Sequence, residues 1–163
     1  LFEWLRDFDR ETWRRVQDRV RLEKLEAPLA PLRASDIDPG YVDLARRSAL
    51  KARVERYIEF SVGRVQDAVP HGEAGLFVTN LPYGDRIGGG ETDVRVLYEQ
   101  VGDVLKQRFP GWRAAVLAAA AAPWKAIGLK PSRSIALMNG AIPCRLLLFE
   151  LYSGSRRVMS PGT

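Results

Sequence analysis

The chain has 163 residues, of which 46% are hydrophobic and 28% are charged, and it carries a formal net charge of +5 at pH 7. This length fits one domain of ~100–200 residues, and the composition excludes a disordered or collagen-like chain. The longest apolar run, residues 114–122 before Pro123, is shorter than the ~18 residues of a membrane-spanning helix. The positive charge is typical of proteins that bind a polyanion.

Cysteine and histidine are nearly absent. Cys144 is the only cysteine and there is one histidine, so the chain cannot close an internal disulfide and offers no Cys/His cluster for a metal. We therefore expect no metal site and a reducing, cytoplasmic setting.

The first third of the chain predicts a helix, a short strand and a second helix. Residues 9–25 place Trp13, Val16 and Val20 at i, i+3 and i+7 behind a capping Asp9, which predicts one buried stripe. A short strand is predicted within residues 32–38, before Pro39 and Gly40. A helix that starts at Pro39 would have Val42, Ala45 and Ala49 on its inner side.

The rest of the chain alternates strands and helices and ends in a hairpin. Strands are predicted at residues 57–62 and 76–79, a helix at 93–108, a strand around Val116, and a short helix at 123–127 closed by Gly128. Residues 76–79 show no polar alternation, which predicts a strand covered on both faces. Strands 134–138 and 144–152 are joined by five residues, too few for a crossover helix, so they should be antiparallel neighbours. The pattern predicts an α/β sheet with helices on both faces.

Two groups of polar residues follow predicted strands, where ligands bind in open α/β sheets. The first is Asp36-Ile37-Asp38. A carboxylate there can accept hydrogen bonds from a ribose diol, and Ile37 can lie against an adenine. The alternative is that Asp38 only caps the helix that begins at Pro39.

The second group is Asn80-Leu81-Pro82-Tyr83. Pro82 holds Leu81 in an extended conformation, so the Leu81 carbonyl points in a fixed direction beside the Asn80 amide oxygen. Two such acceptors can hold both hydrogens of an exocyclic amine while Tyr83 stacks on the base. The alternative is an ordinary turn, since Asn, Pro and Gly are common turn residues.

The longer context of these residues resembles a known family. The runs LFVTNLPYGDRIG, VLYEQVGDVLKQRFPGW and NGAIPCRLLLFE resemble the methyltransferase domain of the bacterial THUMP-containing guanine-N2 RNA methyltransferases, which act on large-subunit ribosomal RNA. FEWLRDFDRETW and SDIDPGYVDLARRSA are similar to that family's preceding segments, in the same order. Its usual tetrapeptide is Asn-Pro-Pro-Tyr. Leu81 replaces a proline, as in rRNA adenine dimethyltransferases.

The resemblance implies a role for each site residue. Asn80 and the Leu81 carbonyl, held by Pro82, would bind the target amine, and Tyr83 would stack on the base. Asp36 and Ile37 would hold the ribose and adenine of S-adenosylmethionine, and Asp67 is a weaker candidate near the adenine. The amine attacks the sulfonium methyl directly, so catalysis needs positioning and acceptors for the charge that develops on nitrogen, and no protein nucleophile.

The resemblance also implies features that this sequence lacks. A class I methyltransferase has a Rossmann-like sheet, mostly parallel with a C-terminal antiparallel hairpin, and opens with a strand and a glycine-rich turn for the cofactor. No such turn follows a strand here, and Gly88-Gly89-Gly90 lies after the Asn80 loop. We therefore expect residues 1–163 to be the C-terminal part of one S-adenosylmethionine-dependent methyltransferase domain, preceded by an upstream segment that can include a THUMP domain.

Two other functions stay open at the level of the sequence. The same acceptors fit adenine N6, so an adenine-N6 methyltransferase acting on DNA or RNA is one alternative. A non-catalytic RNA-binding protein of the same fold is the other. Structured RNA is the expected partner in the main hypothesis, and a basic stretch supplies either phosphate contacts or a solvated face: Lys125, Lys130, Arg133, Arg145, Arg156 and Arg157, against the one acid Glu150.

Overall fold

The computed structural model of the chain describes residues 2–82 and 91–152. The described helices and strands are, in chain order, α1 (Arg10–Leu22), β1 (Leu32–Asp36), α2 (Pro39–Lys51), β2 (Ile58–Val62), β3 (Leu76–Asn80), α3 (Glu91–Arg108), β4 (Arg113–Ala119), β5 (Arg133–Asn139) and β6 (Ile142–Glu150). Short 3-10 turns lie at Phe2–Trp4, Glu55–Tyr57, Val65–Asp67 and Trp124–Ile127. None of the described helices is long and apolar enough to cross a membrane.

The chain forms two compact units. One consists of Leu1–Ser35 and Pro39–Ser61, and the other of Asp36–Asp38 and Val62–Thr163. Strands β1 and β2 pair as a two-stranded sheet, and β3, β4, β6 and β5 form a separate four-stranded sheet in that order.

Helix α1 begins where the sequence predicts. The Asp9 carboxylate accepts hydrogen bonds from the Glu11 N–H at 3.0 Å and from the Thr12 hydroxyl at 2.6 Å, which caps the first turn. The predicted buried stripe is wrong for this helix, which has no fully buried residue. Trp13 and Val16 are half-buried and Val20 is exposed, so the described residues cover this amphipathic stripe only in part.

Helix α2 begins at Pro39, as predicted, and buries only part of the expected inner side. Val42 and Ala49 are buried, whereas Ala45 is exposed. Across the neighbouring strand pair, Arg33 of β1 and Glu59 of β2 form an ion pair at 2.8 Å. The unit is therefore held together by a small apolar core and by exposed polar contacts.

The four-stranded sheet combines parallel and antiparallel pairing. Strands β3 and β4 are parallel, with Asn80 opposite Leu117. Strand β6 is antiparallel to both β4 and β5. The predicted C-terminal hairpin is confirmed, and with it the mixed α/β architecture.

One face of this sheet packs against α3. The contact buries Tyr98, Val101 and Leu105 of the helix against Val116 and Leu147 of the sheet. At Gly102 the helix touches the Trp124–Ile127 turn so closely that an added Cβ would lie 1.9 Å from the Ile127 carbonyl oxygen. Glycine at this position therefore allows the turn after β4 to pack on α3.

Strand β3 differs from its prediction. Leu76 is 53% exposed and Val78 is 68% exposed, whereas Phe77 packs against the core. The expectation that β3 is covered on both faces is thus wrong for the part of the chain that the structure describes. Side chains alternate along a strand, and only the side bearing Phe77 meets the α3 core.

Candidate active site

Asn80 is the last residue of β3. Its side chain is exposed, and alternation places it on the same face as Leu76 and Val78. The parallel pairing sets Asn80 beside Leu117 of β4. The Asn80 side-chain amide therefore lies at the carboxyl end of the parallel strands β3 and β4, where the sequence predicts it.

Leu81 is fixed by both its backbone and its side chain. Its N–H donates to the Leu117 carbonyl at 3.0 Å, which extends the β3–β4 pairing one residue past the strand. Its side chain is 5% exposed and belongs to the core. A proline at this position would have no N–H to donate. The leucine that departs from the family's usual tetrapeptide thus has a structural role of its own.

The rest of the predicted amine-binding group is described only in part. Pro82 is half-buried directly after Leu81, and a proline favours an extended conformation of the residue before it. Tyr83 and Gly88-Gly89-Gly90 lie outside the described residues. The stacking role of Tyr83 therefore stays a prediction.

Asp36 ends β1 in a tight local turn. Its Oδ1 accepts a hydrogen bond from the Asp38 N–H at 2.9 Å, and its backbone carbonyl accepts one from the Gly63 N–H at 2.9 Å. The side chains of Asp36 and Ile37 are exposed. A fixed carboxylate beside an exposed apolar side chain is able to bind a ribose diol and the face of an adenine.

Asp67 lies in the loop that follows β2. Its Oδ2 accepts a hydrogen bond from the Arg64 N–H at 3.4 Å, and its own N–H donates to the Arg64 carbonyl at 3.0 Å. The carboxylate is exposed. Its contacts therefore close the Val65–Asp67 turn, and its part in adenine binding stays a prediction.

A pair of glutamines anchors this loop to α3. Gln66 Nε2 donates to Gln100 Oε1 at 2.6 Å, and the Arg108 guanidinium contacts the Ala68 carbonyl at 3.4 Å. Sequence analysis missed both contacts, because residues 34 and 40 positions apart give no local pattern. The Gly63 N–H bond links the loop to Asp36, and the Gln66 and Arg108 contacts hold the loop against α3.

The described residues contain no group of three or more His, Cys, Asp or Glu side chains that could hold a metal ion. What the site offers is hydrogen-bond acceptors at strand ends: Asn80, the Leu81 carbonyl and the Asp36 carboxylate. Acceptors at the carboxyl ends of strands are what open α/β sheets use to bind ligands.

A comparison with protein families identifies the chain as a methyltransferase domain. Residues 3–147 match the RMKL-like methyltransferase domain, and the chain belongs to this family. The match includes every site residue discussed above.

Individual relatives agree with the family. The ribosomal RNA large subunit methyltransferase K/L of Shewanella loihica is 40% identical over 78% of this chain. A solved structure described as that of a methyltransferase complexed with SAH covers 94% of this chain and 40% of its own, with a TM-score of 0.75 and 22% identity, and so shows the fold. A structure described as a predicted N6-adenine-specific DNA methylase from Listeria monocytogenes is 28% identical, with a TM-score of 0.62 over 73% of this chain and 30% of its own.

The chain is shorter than these proteins. It spans 18% of the length of the relative from Shewanella loihica.

Proposed function

We propose that this chain belongs to an S-adenosylmethionine-dependent RNA methyltransferase that methylates the N2 amine of a guanine in large-subunit ribosomal RNA. The observation that carries the proposal is the fixed geometry after β3. The Leu81 N–H is bound to the Leu117 carbonyl at 3.0 Å, and the exposed Asn80 amide stands beside it. The two residues thus bring a side-chain amide and a backbone carbonyl to one end of β3, where they would act as two acceptors.

The acceptors would act on the target amine directly. The Asn80 side-chain oxygen and the Leu81 carbonyl would each accept one amine hydrogen, which holds the nitrogen lone pair in one direction. As the nitrogen bonds to the methyl carbon, the bond between that carbon and the sulfonium sulfur breaks and S-adenosylhomocysteine leaves. The nitrogen becomes positively charged, and the same two oxygens would stabilise that charge. One amine proton then passes to water. Tyr83 would hold the base by stacking.

The residues after β1 fit the cofactor. S-adenosylmethionine supplies an electrophilic methyl group on a sulfonium. One carboxylate oxygen of Asp36 accepts a hydrogen bond from the Asp38 N–H in the local turn. The carboxylate is exposed and would also accept hydrogen bonds from the ribose hydroxyls. Ile37 is 64% exposed and would cover one face of the adenine, with Asp67 nearby in the loop that is anchored to α3.

The remaining elements of the proposal concern the whole protein. The relative from Shewanella loihica is named for methylation of large-subunit ribosomal RNA, and the net charge of +5 suits an RNA partner. Residues 1–163 would form the C-terminal part of one methyltransferase domain in a cytoplasmic enzyme. A THUMP domain elsewhere in the protein would add RNA-binding surface.

Mass spectrometry of nucleosides tests the substrate. The full protein is incubated with unmodified, transcribed large-subunit ribosomal RNA and methyl-labelled S-adenosylmethionine, and the RNA is digested to nucleosides. The proposal predicts labelled N2-methylguanosine. Labelled N6-methyladenosine in its place would overturn the guanine assignment.

Adenine N6 is the second candidate. It is favoured by the name of the Listeria structure and by Leu81, which replaces a proline of the usual tetrapeptide. A protein that binds the RNA but labels no nucleoside would instead support the non-catalytic alternative.

A further inference from the structure

A basic and aromatic cluster follows β4. Trp124 is half-buried, and two cations lie near its ring: Lys125 Nζ at 5.8 Å and Arg145 Cζ at 5.7 Å from the centroid. Both distances are within the ~6 Å reach of a cation–π contact. We call Trp124, Lys125 and Arg145 the Trp124 cluster. The indole restrains two positive charges in one place.

No ion pair among the described residues neutralises the charge of the cluster. Within residues 2–82 and 91–152, the ion pairs at 4.0 Å or less join other residues, and neither Lys125 nor Arg145 is among them. The Arg145 guanidinium contacts the Ser134 hydroxyl at 3.4 Å, which orients it without cancelling its charge. Two restrained cations without a carboxylate are suited to an anionic partner.

Arg145 also forms one wall of a shallow groove. The groove has a volume of about 280 Å³ and is lined by Ala120, Ala136, Leu137, Met138, Pro143, Cys144 and Arg145. Met138 is 60% exposed, so apolar surface is accessible beside the cation. An apolar groove next to a guanidinium can receive a nucleobase while the cation contacts its phosphate, as in the positively charged grooves that follow single-stranded nucleic acid.

The register of the sheet places this cluster near the candidate active site. Asn80 lies opposite Leu117, and the next residue of β4, Ala118, lies opposite Arg145 of β6. The backbones of Asn80 and Arg145 are therefore two strand spacings apart, or roughly 10 Å. Their side chains leave opposite faces of the sheet, because Arg145 shares a face with Ala118 and Asn80 with Leu117. Both residues lie near the carboxyl ends of β3 and β4, so RNA that presents a base to Asn80 would pass over this edge of the sheet to reach Arg145.

We propose that the Trp124 cluster and the adjoining groove bind the RNA nucleotides that flank the target base. Lys125 and Arg145 contact phosphates, and the groove receives one neighbouring base against Met138 and Pro143. The inference rests on the proposed function, which supplies the RNA. It adds a specific contact surface outside the amine-binding group.

Measuring RNA affinity against salt concentration tests the proposal. The probe is a labelled, transcribed fragment of large-subunit ribosomal RNA that the wild-type full protein methylates. The test variant is Lys125→Ala/Arg145→Ala. The control is Arg14→Ala/Arg19→Ala, which removes two positive charges from exposed positions of α1. Circular dichroism verifies that both variants fold, and Arg145→Lys provides a second, charge-conserving variant.

The test variant should bind the RNA at least about tenfold more weakly at ~0.15 M salt, with the slope of log affinity against log salt reduced by about 2. The control should match the wild type, and Arg145→Lys should retain most of the binding. S-adenosylmethionine binding should be unchanged in all variants.

Two results would overturn the inference: an unchanged Kd and salt slope in the test variant, or an equal loss in the control. Failure of the proposed function looks different, because the wild-type protein would then methylate no RNA fragment at all.

Discussion

The backbone N–H of Leu81 donates to the carbonyl of Leu117 at 3.0 Å, one residue beyond the end of β3. This bond ties Leu81, the first residue after β3, to the neighbouring strand β4. The Leu81 side chain adds a second attachment, since it is buried in the core, against which the partly buried Phe77 also packs. Asn80 and Leu81, which carry the proposed amine acceptors, are therefore positioned by the sheet and the core.

Truncating the Leu81 side chain should destabilise the protein. Leu81→Ala removes a buried side chain and should lower the free energy of unfolding by about 2–5 kcal/mol. Leu76→Ala is the matched control, because Leu76 is 53% exposed on the same strand and should cost less than about 1 kcal/mol. Urea denaturation measures both. Equal losses in the two variants would contradict the account of Leu81.

Gly102→Ala should disturb the contact between α3 and the turn after β4. A Cβ at Gly102 would lie 1.9 Å from the Ile127 carbonyl oxygen, so helix or turn must shift, at a cost of roughly 1–3 kcal/mol. Gly63 has nothing within 4 Å of an added Cβ and no positive φ, so Gly63→Ala is the control. Thermal unfolding should show a clear drop in Tm for Gly102→Ala alone, and the same Tm for both variants would refute the close contact.

Local sequence signals were enough to predict three features. These are the hairpin, the starts of helices α1 and α2, and the location of polar residues at strand ends. Five residues between two apolar runs impose an antiparallel pair, and an Asp before a helical pattern caps it. The register that sets Asn80 beside Leu117 is a long-range pairing with no local signal. The Gln66–Gln100 contact is of the same kind.

The wrong predictions concern which faces are covered. The apolar pattern of residues 76–79 and of α1 shows which side chains are able to pack, and it does not show whether a layer is present. Val78 and Val20 are therefore exposed although their patterns are those of buried elements.

Asp36 should determine the affinity for S-adenosylmethionine. Asp36→Ala removes the carboxylate that would accept the ribose hydroxyls, and the Kd should rise about 10- to 100-fold. Asp36→Asn keeps an oxygen for the Asp38 N–H, so it should preserve the turn and show a smaller loss. Isothermal titration calorimetry of the full protein measures the Kd. Asp43→Ala, which removes an exposed carboxylate of α2, is the control, and wild-type affinity in Asp36→Ala would exclude the ribose contact.

The cap of α1 should depend on pH. The hydrogen bond from the Thr12 hydroxyl, followed by that from the Glu11 N–H, lowers the pKa of Asp9 from its ordinary value of 3.8. Because the folded pKa is the lower one, the stabilisation is present above the ordinary value and is lost as the pH falls through the folded value.

NMR chemical shifts of the first turn of α1, followed from pH ~6 to ~2, should report fraying only at the acid end. In Thr12→Ala the midpoint should move to higher pH. A midpoint that is unaffected by Thr12→Ala would disprove this assignment of the cap.

The initial rate of RNA methylation by Asn80→Ala in the full protein tests the central claim most directly. S-adenosylmethionine binding is measured in parallel, and Gln107→Ala, an exposed amide on α3, is the control. The account predicts a rate at least about 100-fold below wild type, with unchanged cofactor affinity and a control that matches wild type. Methylation by Asn80→Ala at the wild-type rate would contradict it.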